Sequence, residues 1–443
     1  MSAGDTQFFS KIGLIAATVG SAVGLGNIWR FPAEAQAGGG AAFLVLYILC
    51  VLILGIPVML AEFSLGRAGR TDAIGSFSAV SPKHKKWSCV GGLAVVTAFL
   101  IAIFYMVVAG WTLEYLFESL SGGLYSGNTA NPSSEVFATK METYISGGWH
   151  PLIFTVVMVL INLAILLGGV TKGIERLSNI LMPMLFVILL AFCVVSLTLP
   201  KAGEGLVYFF RPDFSRVTPS VILSALGQAF FSLSLGMGIL LTYSSYYPPE
   251  TRLVRTAGTV SFLSILVAVM MGIIIFPAVM SFGLADHGVA GTTLVFSTLP
   301  EVFVRLPLTW LWSSLFFLLL TIAALTSTVS IAEVVIRCVQ DRLKLSRRAA
   351  CYWVMVPILV LSSVCSLSMG MFNFLDFLTA EILLPIAAIG VCVFVGWIAP
   401  KSLLTNQLTN DGSIRSRIIG LCLFIIRYVA PALIFLVLIS PLL

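Results

Sequence analysis

The sequence predicts an all-α integral membrane protein, and three observations carry that prediction. Of 443 residues, 59% are hydrophobic and only 10% are charged, with 25 Lys and Arg against 19 Asp and Glu and a mean hydropathy of +1.05. Charged residues approach about a quarter of a soluble chain, and so few cannot shield this much apolar surface from water, so lipid must be part of the solvent. Hydrophobic stretches able to cross about 30 Å of hydrocarbon, which takes about 20 helical residues, recur eleven times. None alternates in the ten-residue pattern of a membrane β-barrel, the other architecture that satisfies its backbone in lipid.

The stretches run in order from 11–35, 41–70, 87–122, 149–169 and 175–199 to 219–247, 253–283, 307–343, 346–369, 375–399 and 414–442. The first follows MSAGDTQFFSKIG, which has neither a basic n-region nor a small-residue cleavage site, so it is expected to belong to the mature fold. Between the stretches, Lys and Arg concentrate on one side: the segment 67–86, then Lys172 and Arg176, Arg252 and Arg255, the run 337–348, and 401–417. The other side holds only Lys140, Lys201, Arg211, Arg216 and Arg305. The positive-inside rule makes the first side cytoplasmic, with the N-terminus inside and, for an odd helix count, the C-terminus extracellular or periplasmic. The expected location is a plasma (inner) membrane. Topology thus accounts for the net charge of +6 better than nucleic acid does, because no sustained basic tract is present. Eight cysteines spread singly, mostly in apolar runs, read as reduced packing residues rather than a disulfide framework. The outer segments 123–148 and 284–306 read as long loops, neither a separate domain.

Two stretches are interrupted in mid-membrane by glycine and serine: GSAVGLGN at 20–27 and SLSLGMG at 232–238. Unwound backbone is tolerable at that depth only where it lines a protected cavity and finds partners. One such cluster reads more simply as close helix packing through small residues. Two, each in the first stretch of a set of five, point elsewhere: five is odd, so consecutive sets insert with opposite topology. That is the pattern of a secondary transporter with inverted repeats, its substrate at the midplane between interrupted helices. The expected division is 1–200 for the first repeat, 201–400 for the second and 401–443 for one additional helix.

The residues themselves carry a resemblance. GSAVGLGNIWRFP (20–32), GGGAAF (38–43), Tyr47, GIP (55–57) and EFSLGR (62–67) resemble the signature of the neurotransmitter:sodium symporter family. GQAFFSLSLGMG (227–238), AALTSTVSIAE (323–333), and Tyr105 six residues before Trp111 are similar to other segments of the same family. The likeness spans nearly the whole chain, and the eleven-stretch form resembles prokaryotic members that carry leucine or several hydrophobic amino acids. It implies import of an amino acid with sodium, by alternating access, in a monomer or weak homodimer without nucleic-acid partners.

The resemblance implies that the substrate carboxylate is held by amides near Ala22 and Gly26 and by the Tyr105 hydroxyl, a combination that fits free amides at the positive end of a half-helix. The amine is expected at carbonyls around Phe231 and Ser234. The implied pocket also includes Ile101, Met237, Thr328 and Ile331. Two sodium sites follow, two ions being favoured: Ala22, Asn27, Ser232 and the substrate carboxylate for one, with position 264 as an expected ligand, and Gly20, Val23, Ala323, Thr326 and Ser327 for the other. Thr326 and Ser327 hydroxyls could equally back-bond within their own helix. Arg30, Asp376 and the Phe231 ring are the implied outer gate, although Asp376 also reads as a solvated loop carboxylate.

This chain departs from the family pattern at three places. Ser264 stands where Asn or Asp is expected, and Ala268 where bacterial members carry a carboxylate. Tyr47, Gln228, Ser232 and Ser264 could instead present donors to chloride; alternatively a carboxylate elsewhere serves, or the gapless count is off by a turn. Asp5 and Phe8 replace the Arg and Trp expected before the first helix, leaving Asp341 facing a like charge, with Lys11 as a substitute partner. Met237 replaces phenylalanine, and an adaptable side chain leaves room for larger substrates, though a methionine is also ordinary core filler. With no pocket residue to pair a charged side chain, hydrophobic L-amino acids are expected, aromatic or large branched ones favoured.

Other classes fit less well. None of His84, His150 and His287 begins a metal motif, so no enzyme is expected, and no filter repeat suggests a channel. A proton-coupled amino-acid permease of related five-plus-five architecture is the remaining alternative, with Glu62 and Glu333 as its candidate proton carriers.

Overall fold

The chain enters its first helix at Ser10, whose hydroxyl accepts the Gly13 amide at 2.9 Å. The computed structural model describes residues 10–126, 133–284, 294–416 and 418–439. Helix α1 (Lys11–Ala22) ends where Val23 leaves helical geometry (φ −87°, ψ 72°). Helix α2 (Gly26–Ala37) restarts after a 53° bend. Gly39 and Gly40, both at positive φ (84° and 62°), turn the chain into α3 (Ala41–Gly69). A short helix α4 (Ala73–Val80), capped by the Asp72 carboxylate, precedes α5 (Ser88–Ser121). Then follow α6 (Ser134–Ser146), α7 (Trp149–Leu167) and α8 (Val170–Leu197).

The second half opens with a short α9 (Ala202–Phe210), then α10 (Pro219–Ser232), whose N-cap Thr218 accepts the Val221 amide. After six non-helical residues comes α11 (Ile239–Ser245), then α12 (Leu253–Phe282), α13 (Leu294–Val304) and α14 (Thr309–Leu343). Helices α15 (Arg347–Ser366), α16 (Met369–Ile398), α17 (Ser402–Thr409) and α18 (Ile419–Ile439) complete the bundle. Among the described residues nine helices are long and apolar enough to cross a membrane, and α1 with α2 forms a further, bent span. The stretch expected at 219–247 is α10 and α11, each too short to cross alone.

Two long helices, α5 and α14, pack along each other and flank both breaks. Close approach elsewhere depends on missing side chains. A Cβ at Gly66 would overlap the Leu241 carbonyl of α11, and one at Gly110 would lie 2.8 Å from the Thr155 amide of α7. Large apolar side chains such as Ile180, Val187, Leu190, Trp353 and Leu421 stay exposed on the bundle's outside, where lipid is the solvent.

Both long outer segments, which the sequence reads as loops, carry helices. In α6 the sequence SEVFATKMETYIS is only weakly apolar but buries Phe137 and Met141. In α13, Phe296 forms an aromatic cluster with Trp29, Trp111, Tyr115 and Phe317, at centroid distances of 4.8–6.4 Å. Four of the five basic segments expected on one side are joined by contacts at one end of the bundle. Arg67 reaches Thr251 and Gln407, Arg70 donates to the Tyr247 carbonyl (2.7 Å), and Arg342 pairs with Asp72 (3.2 Å).

Candidate functional site

The two breaks face each other. At the α10–α11 break, Ser234 (φ 54°), Gly236 (φ 77°) and Gly238 (φ 72°) take left-handed backbone. Serine there is strained, and its hydroxyl supplies a compensating bond by donating to the Ser21 carbonyl at 2.7 Å. Gly236 is needed because a Cβ would lie 2.8 Å from the Leu384 carbonyl. Its amide donates to Glu62 Oε1 (2.8 Å), so that carboxylate braces the turn. Gln228 Nε2 ties α10 to the Gly26 carbonyl at 3.0 Å. These bonds replace part of the helical ladder that both spans give up in mid-membrane.

Between the breaks lies a cavity of about 40 Å³. Of the residues expected to hold substrate, Ala22, Gly26, Ile101, Tyr105, Phe231, Ser234, Met237 and Ile331 line it. Thr328 does not: its hydroxyl donates to the Leu325 carbonyl (3.0 Å), because on α14 it sits one residue round from the face shared by Ser327 and Ile331. Ser21, Phe104, Ile239 and Thr379 line the cavity without having been anticipated. The Tyr105 hydroxyl lies against the Leu25 amide and the Ser327 hydroxyl. The Phe231 ring rests on Gly26, where any Cβ would overlap it.

Uncharged oxygens converge at the first candidate sodium site. Asn27 Nδ2 donates to the Ala22 carbonyl (3.1 Å) and to Ser264 Oγ (3.0 Å), and Ser264 Oγ donates to the Ser232 carbonyl (3.2 Å). Asn27 Oδ1 is left buried without a partner, which costs about 1–3 kcal/mol unless something supplies positive charge. At the second candidate site Ser327 Oγ is likewise buried, with only the Tyr105 hydroxyl beside it. Thr326 Oγ1 does back-bond, to Ile322 and Ala323 carbonyls (both 3.1 Å), which spends its proton and leaves its lone pairs for a cation. Gly20 packs here, a Cβ being 3.4 Å from that of Thr326. Val23 stands at the adjoining break. Both donor sets suit a hard monovalent cation.

The residues considered for chloride are also adjacent. Tyr47 Oη donates to Ser232 Oγ (3.0 Å), and Ser232 Oγ to the Ala229 carbonyl (3.2 Å). With the Ser264 bond above, each hydroxyl proton is directed at a protein oxygen, and Gln228 spends one of its two amide protons on Gly26. The hydroxyl donors must turn before they serve an anion.

The residues expected to form an outer gate are arranged differently from the expected pair. Arg30 Nε pairs with Glu34 Oε1 at 3.6 Å, and the guanidinium carbon sits 5.2 Å from the Phe231 ring centre. Asp376 lines the substrate cavity but is not ion-paired with Arg30. At the opposite end, Asp5, Phe8 and the Lys11 side chain lie outside the described residues. Asp341 is already satisfied by Arg337 Nε (3.0 Å), the Asp72 amide (3.1 Å) and Thr71 Oγ1 (3.2 Å). Arg337 lies one turn before Asp341, a spacing visible in the sequence. Ser10 fastens the start of α1 to Glu175 of α8 through its amide (3.0 Å) and hydroxyl (2.7 Å).

Of the two candidate proton carriers, Glu333 is held by Arg347 (2.5 and 2.8 Å) and the Tyr246 hydroxyl (2.7 Å), whereas Glu62 braces the α10–α11 turn with Oε1 and leaves Oε2 buried without a partner. Among the described residues no group of three His, Cys, Asp or Glu could hold a metal ion.

Two interrupted helices opposed across a buried cavity, with Asp376 as the acid on its wall, are the architecture of a broken-helix membrane transporter. The profile of the sodium:neurotransmitter symporter family matches residues 5–144 and 135–443. The chain is 34% identical to the sodium-dependent transporter YhdH of Bacillus subtilis, over 97% of this chain and 96% of that one. It is 35% identical to the sodium-dependent transporter MJ1319 of Methanocaldococcus jannaschii, over 92% and 84%. The crystal structure of MhsT in complex with L-phenylalanine superimposes with a TM-score of 0.87 at 39% identity, covering 98% of this chain and 99% of that one. The chain belongs to the sodium:neurotransmitter symporter family, whose members are transporters.

Proposed function

We propose that the protein is a secondary active symporter that imports hydrophobic L-amino acids, aromatic or large aliphatic, driven by sodium entry through alternating access. The observation that carries this reading is a set of buried, uncharged oxygens near a cavity lined by both helix breaks: Asn27 Oδ1, which has no protein partner, and Ser327 Oγ, which meets only the Tyr105 hydroxyl. The likeness to MhsT, solved with L-phenylalanine, supports an amino-acid substrate. The substrate carboxylate would meet the amides at the start of α2 and the Tyr105 hydroxyl and complete the first sodium site. The apolar walls Ile101, Phe104, Met237 and Ile331 would take the side chain.

Two sodium ions are proposed, one per site, with chloride at the Tyr47, Gln228, Ser232 and Ser264 cluster supplying negative charge that Ser264 and Ala268 lack. Two ions entering across about 100 mV gain about 2.3 kcal/mol each, and a tenfold gradient adds about 1.4 kcal/mol per ion. The sum, about 7 kcal/mol, concentrates a neutral substrate about five orders of magnitude. The positive-inside bias places the N-terminus in the cytoplasm, and the repeats at 1–200 and 201–400 invert between the two faces. Proteoliposomes loaded with potassium and diluted into sodium test the reading, with unlabelled amino acids competing against labelled phenylalanine. Sodium-dependent uptake blocked by aromatic and branched amino acids is expected; uptake driven by a pH gradient alone, or preference for glycine or taurine, overturns it.

A further inference from the structure

Arg30 has more than one acid within reach. Glu34, one turn further along α2, takes the guanidinium in this structure (3.6 Å). Asp376 of α16 senses the Arg30 charge without contacting it. An Arg placed N-terminal to its acid at i,i+4 is the weaker order for a helical pair. What orients Glu34 is instead α10: Ser224 Oγ donates to Glu34 Oε2 at 2.6 Å. The carboxylate is thereby tethered to the broken helix that carries Phe231, and Arg30 lies over that ring.

We propose that Glu34 is a positioning residue of the outer gate, competing with Asp376 for Arg30. With Arg30 on Glu34 the gate lacks its bridge to α16; with Arg30 on Asp376 it is latched over the cavity. Arg30 and Glu34 side chains are each 31% exposed, so water eases the exchange and the pair is worth little. A bias of about two- to fivefold between the two arrangements matches an exposed ion pair. This inference deepens the proposed transport reading and rests on it.

The test compares Glu34→Gln with wild type in proteoliposomes and, in parallel, follows labelling of Ala380→Cys by a membrane-impermeant maleimide in a background lacking Cys50 and Cys89. Ala380 lines both the substrate cavity and the neighbouring cavity that contains Arg30. Freed from Glu34, Arg30 is expected to latch on Asp376. The half-saturation concentration should fall about two- to fivefold, the maximal rate should fall, and labelling should slow by a similar factor. All three effects should vanish in an Asp376→Asn background. Ser224→Ala, which keeps the charge and removes its tether, separates electrostatics from packing: a smaller effect in the same direction is expected, and an equal or larger one overturns the proposal. Unchanged kinetics and labelling in Glu34→Gln, or an undiminished effect with Asp376→Asn, also overturn it. Labelling needs no transported substrate, so absence of uptake would count against the functional reading while labelling still decides on Glu34.

Discussion

Replacing Ser327 by alanine should act in opposite directions on sodium-free and sodium-bound protein. The Ser327 hydroxyl oxygen is buried and meets only the Tyr105 hydroxyl, outside good hydrogen-bond geometry. In the sodium-free protein that contact at best offsets the cost of burying the hydroxyl, about 1–3 kcal/mol, so its removal should leave thermal stability little changed or raised. In sodium the variant loses one ligand of the second proposed site. Taking a bond to a charged group as about 1.5–3 kcal/mol, the sodium midpoint should rise about ten- to 150-fold. Wild type in sodium at 100 times its dissociation constant gains about 2.7 kcal/mol, and a hundredfold weaker site would gain only about 0.4 kcal/mol. Thermal unfolding of purified protein over a sodium titration, with choline holding ionic strength, reads both quantities. Thr328→Val is the control, since that hydroxyl is bonded to Leu325 and lies off the cavity. A sodium midpoint within twofold of wild type would refute the site.

Gly26→Ala places a methyl group inside the Phe231 ring. The ring must move off the cavity, so substrate half-saturation should rise at least tenfold while the protein still folds, as read by uptake and by size-exclusion profile. Glu333→Gln leaves the nearly buried Arg347 guanidinium short of its countercharge and should cost about 3–5 kcal/mol. Thermal unfolding should show that loss, and the pH profile of residual uptake should not move. Replacing external chloride by gluconate should depress uptake if the Tyr47 cluster holds an anion; uptake that is unchanged removes chloride from the proposal.

The breaks were legible in the sequence because their physics demands rare residue types. Left-handed backbone at Gly236 and Gly238 and close packing at Gly26 leave room for little else, so glycine clusters in otherwise apolar stretches mark the site directly. The cavity residues followed from matching those clusters to a family pattern, and Thr328 shows the limit: neighbours on a helix differ by about 100° in direction. The proposed role of Glu34 rests on its bond to Ser224, nearly two hundred positions away, which the i,i+4 spacing from Arg30 alone does not reveal. The helix at 134–146 escaped notice because its apolar face consists of little more than Phe137 and Met141. Asp341 was expected to need an N-terminal partner, whereas Arg337 on its own helix already supplies one.

The scarcity of charge at the site also bears on how coupling would work. Of the acids considered for a proton-carrying role, Glu333 is committed to Arg347 and Glu62 accepts the Gly236 amide on one oxygen. The cavity wall includes the acid Asp376, within range of the Arg30 charge. Around Asn27 and Ser327 only amide, carbonyl and hydroxyl oxygens are at hand. Neutral oxygens hold a cation without a compensating charge only weakly in low dielectric. An amino-acid carboxylate arriving at the start of α2 would supply that charge at the first site. Each ligand then raises the affinity of the other by the same factor, as linkage requires. In the proposed mode, the absence of a fixed protein charge is what makes sodium and substrate bind together, and introducing a carboxylate at Ser264 should weaken that mutual dependence: sodium affinity without substrate should rise, and the further gain on adding substrate should shrink.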